Sequence, residues 1–166
     1  GVRVDSRRAR DAFEEALGRG AVDDRTVHLP PDLVEWAIEV APSTVDVYDR
    51  CGERAFQLGQ SDTRFGIGVT NLFYQDPRTD EVVPYDRARM RASVRLGHTL
   101  DSFDLVSTVG VLQDASPDEA DLYATLEMVG NTTKPLVLLV SEPDAFPRAL
   151  DMLEALCGDL SRKPFV

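Results

Sequence analysis

The last third of the chain constrains the fold most, because its apolar runs and helix signals alternate. Leu105-Val106-Ser107-Thr108-Val109-Gly110-Val111-Leu112 is a short apolar run of the kind that forms a strand covered on both faces. Ser116-Pro117-Asp118-Glu119 then opens a helix running to about Val129, with Ser at the cap, Pro at the first position and acids in the first turn. Lys134-Pro135 leads into a second buried strand, Leu136 to Val140. Ser141-Glu142-Pro143-Asp144 starts a helix over Ala145 to Leu156, and Lys163-Pro164 leads into a third strand. Strand–helix–strand–helix–strand with loops of a few residues is the signature of parallel α/β units. Right-handed crossovers between adjacent strands make this the opening of a barrel or of an open doubly wound sheet. The loop after the first strand, Gln113-Asp114-Ala115-Ser116-Pro117, is not a Gly-rich phosphate loop, and Gly66-x-Gly68 lacks the rest of a dinucleotide fingerprint. The first point favours the barrel.

The segments before it read as a layer of mixed structure. A first helix is expected over Ser6 to Leu17, capped by Asp5 or Ser6, with Ala9, Phe13, Ala16 and Leu17 on one face and Gly18 and Gly20 at its end. Val22 to Leu29 reads as a turn with a short extended stretch. Pro30-Pro31-Asp32 opens a second helix to about Val40, whose Leu33, Trp36, Ala37 and Val40 have the spacing of a packing face. Val45–Tyr48 and Ala55–Leu58 read as short strands. Arg64 to Gln75 reads as a longer strand, with Glu81 to Tyr85 as its hairpin partner and Asp76-Pro77-Arg78-Thr79-Asp80 as the turn. Gly66 and Gly68 mark a bulge or a close backbone approach within it. Asp86 to Leu100 is helical. The expected fold class is therefore α/β: the N-terminal part of a (β/α)8 TIM barrel with an added N-terminal α+β layer containing a β-hairpin. Residues 1–100 are the layer, and residues 101–166 are the first two βα units plus the start of the third strand. Because the chain stops while entering a buried strand, and opens on Gly1, a piece of a longer polypeptide is expected.

Composition narrows the partners. The 18 Lys and Arg against 29 Asp and Glu leave a net charge of −11, the wrong sign for neutralising phosphates or binding as a polybasic membrane module. No apolar run approaches the length of a membrane span, and no segment resembles a signal peptide. Neither nucleic acid nor membrane is expected as a partner, and the location expected is cytoplasmic. Cys51 and Cys157 are far apart and outside any CxxC pattern, which fits free thiols in a reducing compartment.

Several short motifs occur in a characteristic order: Gly20-Ala21-Val22-Asp23, Val27-His28-Leu29-Pro30, Leu33-Val34-Glu35, Ala41-Pro42, Val47-Tyr48-Asp49-Arg50 and Asn131-Thr132-Thr133-Lys134-Pro135. Together they resemble the N-terminal region of the trimethylamine methyltransferase family, collinearly along most of the chain. The resemblance implies a (β/α)8 barrel enzyme that demethylates a methylated amine such as trimethylamine or glycine betaine. The methyl group would pass to the Co(I) of a corrinoid (cobalamin) on a separate protein, a chemistry that belongs with methanogenesis. Some members of the family carry pyrrolysine as the catalytic residue, at a position in the later part of the barrel. This segment would itself bind no cofactor. Its partners would be the corrinoid protein, the amine, and either the remainder of the barrel or another copy of itself.

Such a reaction calls for a pocket that holds a cation among aromatic faces and carboxylates and aims one methyl group at a nucleophile. In a barrel the site lies at the C-terminal ends of the strands. The candidates there are Gln113 and Asp114 after the first strand and Ser141 and Glu142 after the second. Phe73 and Tyr74 on the long hairpin are candidate lid residues. Each has a plainer reading: Asp114 as a loop former, Glu142 as a helix cap, Phe73 and Tyr74 as core. No catalytic nucleophile stands out. His28 and His98 have no acid or thiol at a ligand spacing, so no metal site is expected from this segment, and His98 reads as structural. Arg87, Arg89, Arg91 and Arg95 form a basic stripe, either a helix face pairing with nearby acids or a docking surface. Two other functions fit the same pattern: a different barrel enzyme of lyase or aldolase type, or a non-catalytic binding or assembly module.

Overall fold

Local signals build two units, Gly1–Ser43 and Thr44–Val166, in a computed structural model that describes residues 1–166. The first unit begins with β1 (Val2–Arg3) and α1 (Arg7–Leu17). The Ser6 hydroxyl caps α1 by accepting from the Ala9 amide at 3.3 Å, and Gly18 (φ +90°) ends it. After a 3-10 turn at Arg19–Ala21 come β2 (Val22–Asp23) and β3 (Thr26–Val27), and the three strands pair antiparallel in the order β1-β3-β2. Then α2 (Pro31–Val40) follows, started by Pro31 as expected. Its apolar stripe does not become a packing face, however. Trp36 is 58% exposed, Ile38 73% and Val40 57%. A sheet of three two-residue strands is too narrow to cover a second helix, so spacing that is right for burial meets no partner in this unit.

The second unit opens with an antiparallel hairpin of β4 (Val45–Tyr48) and β5 (Arg54–Leu58), where the Asp49 carboxylate accepts the Glu53 amide at 2.9 Å to close the turn. The expected long strand over Arg64–Gln75 is broken in two. Its first part, β6 (Gly66–Ile67), joins a parallel sheet, and its second, β7 (Phe73–Gln75), pairs antiparallel with β8 (Val82–Pro84). The reason lies in the residues between them. Gly66 packs directly on the Leu105 side chain, where a Cβ would clash, and Gly68 (φ +54°) and Thr70 (φ +47°) turn the backbone through left-handed space. The two glycines thus mark a close approach and a bend.

From there the chain alternates: α3 (Arg87–Thr99), β9 (Leu105–Ser107), α4 (Pro117–Asn131), β10 (Leu136–Val137) and α5 (Ala145–Cys157). The sheet order is β10-β9-β6, with both pairings parallel. The array therefore begins at residue 66, one strand earlier than the sequence suggests. It also advances in one direction. Val106 of β9 and Thr108 just after it donate to the carbonyls of Pro135 and Val137, while Leu136 donates from its other edge to Phe165 O at 2.6 Å. The last residues thus lie on the free side of β10, beside the hairpin, whose Tyr48 amide donates to Pro164 O at 3.0 Å.

Ile67, Val106 and Leu136 share one row across the sheet. Val106 and Leu136 are buried with Met90 and Val94 of α3, Ala124 and Met128 of α4, and Leu153 of α5. Each such large side chain contributes about 1.5–3 kcal/mol on burial, so this layer of helices on a sheet is what holds the unit. Gly97 is bare because a Cβ there would lie 2.7 Å from Ile67. The Ser116 cap differs from expectation. Its hydroxyl donates to the Glu119 carboxylate at 2.9 Å and makes no bond to the helix backbone. Three arginines of the α3 stripe are tied to α4, Arg87 and Arg91 meeting Glu127 at 2.8 and 2.9 Å and Arg95 donating to the Asn131 side chain, while Arg89 pairs with Asp86 at the start of its own helix.

Candidate functional site

Three loops leave the C-terminal ends of β6, β9 and β10, and the last two hold the candidates Gln113, Asp114, Ser141 and Glu142. Gln113 ties two of them together. Its amide donates to Tyr85 O at 2.9 Å and its side chain to Leu72 O, which anchors the β7–β8 hairpin to the loop after β9. Asp114 is already engaged, because both of its oxygens accept the Arg87 amide at 3.3 Å at the start of α3. It meets the first turn of a helix 27 residues earlier, beyond the loop-forming role its position suggests. The backbone amides of Ser141 and Glu142 donate to one oxygen of Asp121 at 2.7 and 3.2 Å.

Gln113, Ser141 and Glu142 then line one cavity of about 290 Å³, together with Asp121. Val111, Leu112, Ala115 and Ala120 supply its apolar lining. A recess lined by apolar residues and two acidic ones suits a small ligand that is both greasy and positively charged, since the apolar lining favours methyl groups and the acids a cation. Phe73 and Tyr74 do not reach it. They point to opposite faces of their strand. Tyr74 sits beneath the Arg89 guanidinium at 5.5 Å and edge-on to Tyr85 at 6.4 Å, so it is packing, whereas Phe73 is 58% exposed opposite Pro84.

The supporting residues carry no sequence signal of their own. Asp121 is one of three acids in the first turns of α4, and nothing in its spacing sets it apart from Asp118 or Glu119. Asn71 holds the β6 loop to β9, its amide and side chain both donating to Val109 O. Glu127 is buried between Arg87 and Arg91, and the Arg91 hydrogen bond, with Arg87 assisting, holds its carboxyl below the usual range against the opposing effect of burial. Arg87 also lies over the Tyr123 ring at 4.3 Å. This cluster fixes α3 to α4 and so sets where both helices begin around the loops. His98 faces the Thr132 hydroxyl at 3.1 Å, a structural contact. No three His, Cys, Asp or Glu residues are arranged to hold a metal ion, and no helix is long and apolar enough to cross a membrane.

A family profile described as trimethylamine methyltransferase matches residues 1–164. A curated relative, the trimethylamine methyltransferase MttB of Desulfitobacterium hafniense, is 29% identical over 161 residues, which is 95% of this chain and 32% of the relative. The chain thus spans about a third of the length of the curated relative it matches. With the profile covering nearly every residue, the chain belongs to the trimethylamine methyltransferase family.

Proposed function

We propose that this chain is the N-terminal segment of a barrel enzyme that removes a methyl group from a methylated amine and passes it to a corrinoid carried by a separate protein. The observation that carries the barrel is the strand order. Residues 66–67, 105–107, 136–137 and 165 lie side by side in sequence order without the reversal that marks a doubly wound sheet. The remaining strands would come from the rest of a longer polypeptide, and the β4–β5 hairpin would close the N-terminal end of the staves. An apolar recess there is lined by Val45, Val47, Phe56 and Leu58 of the hairpin and by Leu105 and Leu136 at the strand starts.

The cavity at the opposite end is the proposed binding wall. Family membership supports a methylamine methyltransferase, and the cavity's chemistry supports a methylated cation. Glu142 faces the charge, Gln113 and the apolar lining position the methyl groups, and Asp121 holds the Ser141–Glu142 backbone in place. No histidine or cysteine lines the cavity, so its residues do not fit as cobalt ligands. In this reading the corrinoid stays with its own protein.

The test is calorimetric titration of the full-length protein with trimethylamine, glycine betaine and uncharged isosteres. Binding of a methylated cation, weakened about fivefold by Glu142→Gln as expected for losing one partly solvated charge contact of about 1 kcal/mol, is the outcome expected. A panel without a binder would favour a different barrel enzyme. Unchanged affinity in the variant would move the site away from this cavity.

A further inference from the structure

A second cavity of the Thr44–Val166 unit, about 320 Å³, lies at the N-terminal side of the sheet, and both cysteines of the chain are among its lining residues although 106 positions separate them in sequence. Cys51 sits at the tip of the β4–β5 turn, and Cys157 is the last residue of α5. Three contacts hold the turn at this place. The Arg50 amide donates to Thr133 O at 2.8 Å, its guanidinium donates to Val129 O, and Lys163 Nζ donates to Gly52 O at 2.8 Å. Arg50, Arg162 and Lys163 line the same cavity as the thiols, with Asp49 and Asp159 as the acids. The cavity therefore places two free sulfurs on one lining, one of them exposed and the other half-buried.

We propose that Cys51 and Cys157 are a redox-responsive pair that an oxidising low-molecular-weight disulfide converts to an intramolecular disulfide, strapping the hairpin turn to the end of α5. The roles differ because the surroundings differ. Cys51 is exposed and meets the oxidant first. Its thiolate attacks one sulfur of the small disulfide, forming a mixed disulfide and releasing one small thiol. Cys157 is half-buried, and burial pushes its thiol up, with Arg50 opposing the shift. It therefore acts second, attacking the Cys51 sulfur after giving up its proton and expelling the second small thiol. Two protein thiols are oxidised, one small disulfide is reduced to two thiols, and the two protons end on the products. The new bond closes the chain from 51 to 157, across every strand of the parallel sheet, so oxidation raises the unfolding temperature.

The experiment incubates the folded full-length protein with glutathione at graded ratios of oxidised to reduced form, then maps disulfides by peptide mass spectrometry. A linked Cys51–Cys157 peptide is expected in the wild type. Cys157→Ser should accumulate glutathione on Cys51, whereas Cys51→Ser should leave Cys157 as a free thiol. The oxidised wild type should melt higher than the reduced protein, and neither variant should show that shift. Glutathione retained on Cys51 in the folded wild type, or a wild type that stays fully reduced while Cys157→Ser reacts, would overturn the pairing. So would a linked peptide that forms only in denaturant.

Discussion

The two units use the same local signals and bury very different amounts. Gly1–Ser43 has well-marked helix starts, yet Val27 is its one buried apolar residue, and α2 leaves Trp36, Ile38 and Val40 in solvent. Thr44–Val166 has no better caps, since Ser116 makes no backbone cap at all, but it buries a continuous cluster from Tyr85 to Phe165. The difference is the parallel sheet. Its Ile67–Val106–Leu136 row gives α3, α4 and α5 a surface to cover, whereas the three short strands of the first unit give α2 none. Good local signals make a helix start in the right place. Stability comes from the face it meets.

That contrast can be broken most directly in the core. Met128→Ala, at a fully buried position, should cost about 2–5 kcal/mol in chemical denaturation, whereas Val27→Ala in the first unit should cost about 1.5 kcal/mol. Equal losses would mean that the two units are held alike. Next comes the α3–α4 clamp. Glu127→Gln keeps the shape, removes the charge between Arg87 and Arg91, and should cost about 1–3 kcal/mol. The effect should also depend on pH. Because the folded carboxyl titrates below its ordinary 4.5, its contribution is complete above that value and fades as the pH falls through the folded value. Denaturant midpoints of wild type and Glu127→Gln should therefore converge in acid, and a gap that persisted there would make the cluster a packing contact. The smallest effect belongs to α2: Trp36→Ser should change the stability of this chain by no more than about 0.5 kcal/mol. A larger loss would show that Trp36 is covered in solution.

Much of the site's surroundings was legible beforehand, and the misses have physical causes. The loops after the two strands were readable from Gln113-Asp114 and Ser141-Glu142, because a polar pair between an apolar run and a helix start has few other places to lie. Which of these residues face the cavity was not. Asp114 and Glu142 are the same kind of residue in the same kind of loop, and they part company only because Arg87 offers its amide to one and none of α3 reaches the other. Asp121 was invisible for a related reason, since its role depends on a loop twenty residues later folding back over α4. The Arg64–Gln75 run misled because it alternates like one strand, while the bends at Gly68 and Thr70 depend on partners on β9 and β8.

The sequence alone determined the alternation of helices and strands from residue 87 to the end of α5, the start of α1 to within a residue, and the family to which the chain belongs. These follow from spacing, from local side-chain bonds to the backbone, and from motif order, all of which act over a few residues. Tertiary structure decided the rest: the strand at 66–67, the burial of Glu127 between two arginines, the exposure of Trp36, and the cavity that Cys51 shares with Cys157. Each depends on residues tens of positions apart meeting across a sheet or a helix pair. Which of the available faces and charges are brought together is set by packing the whole unit at once.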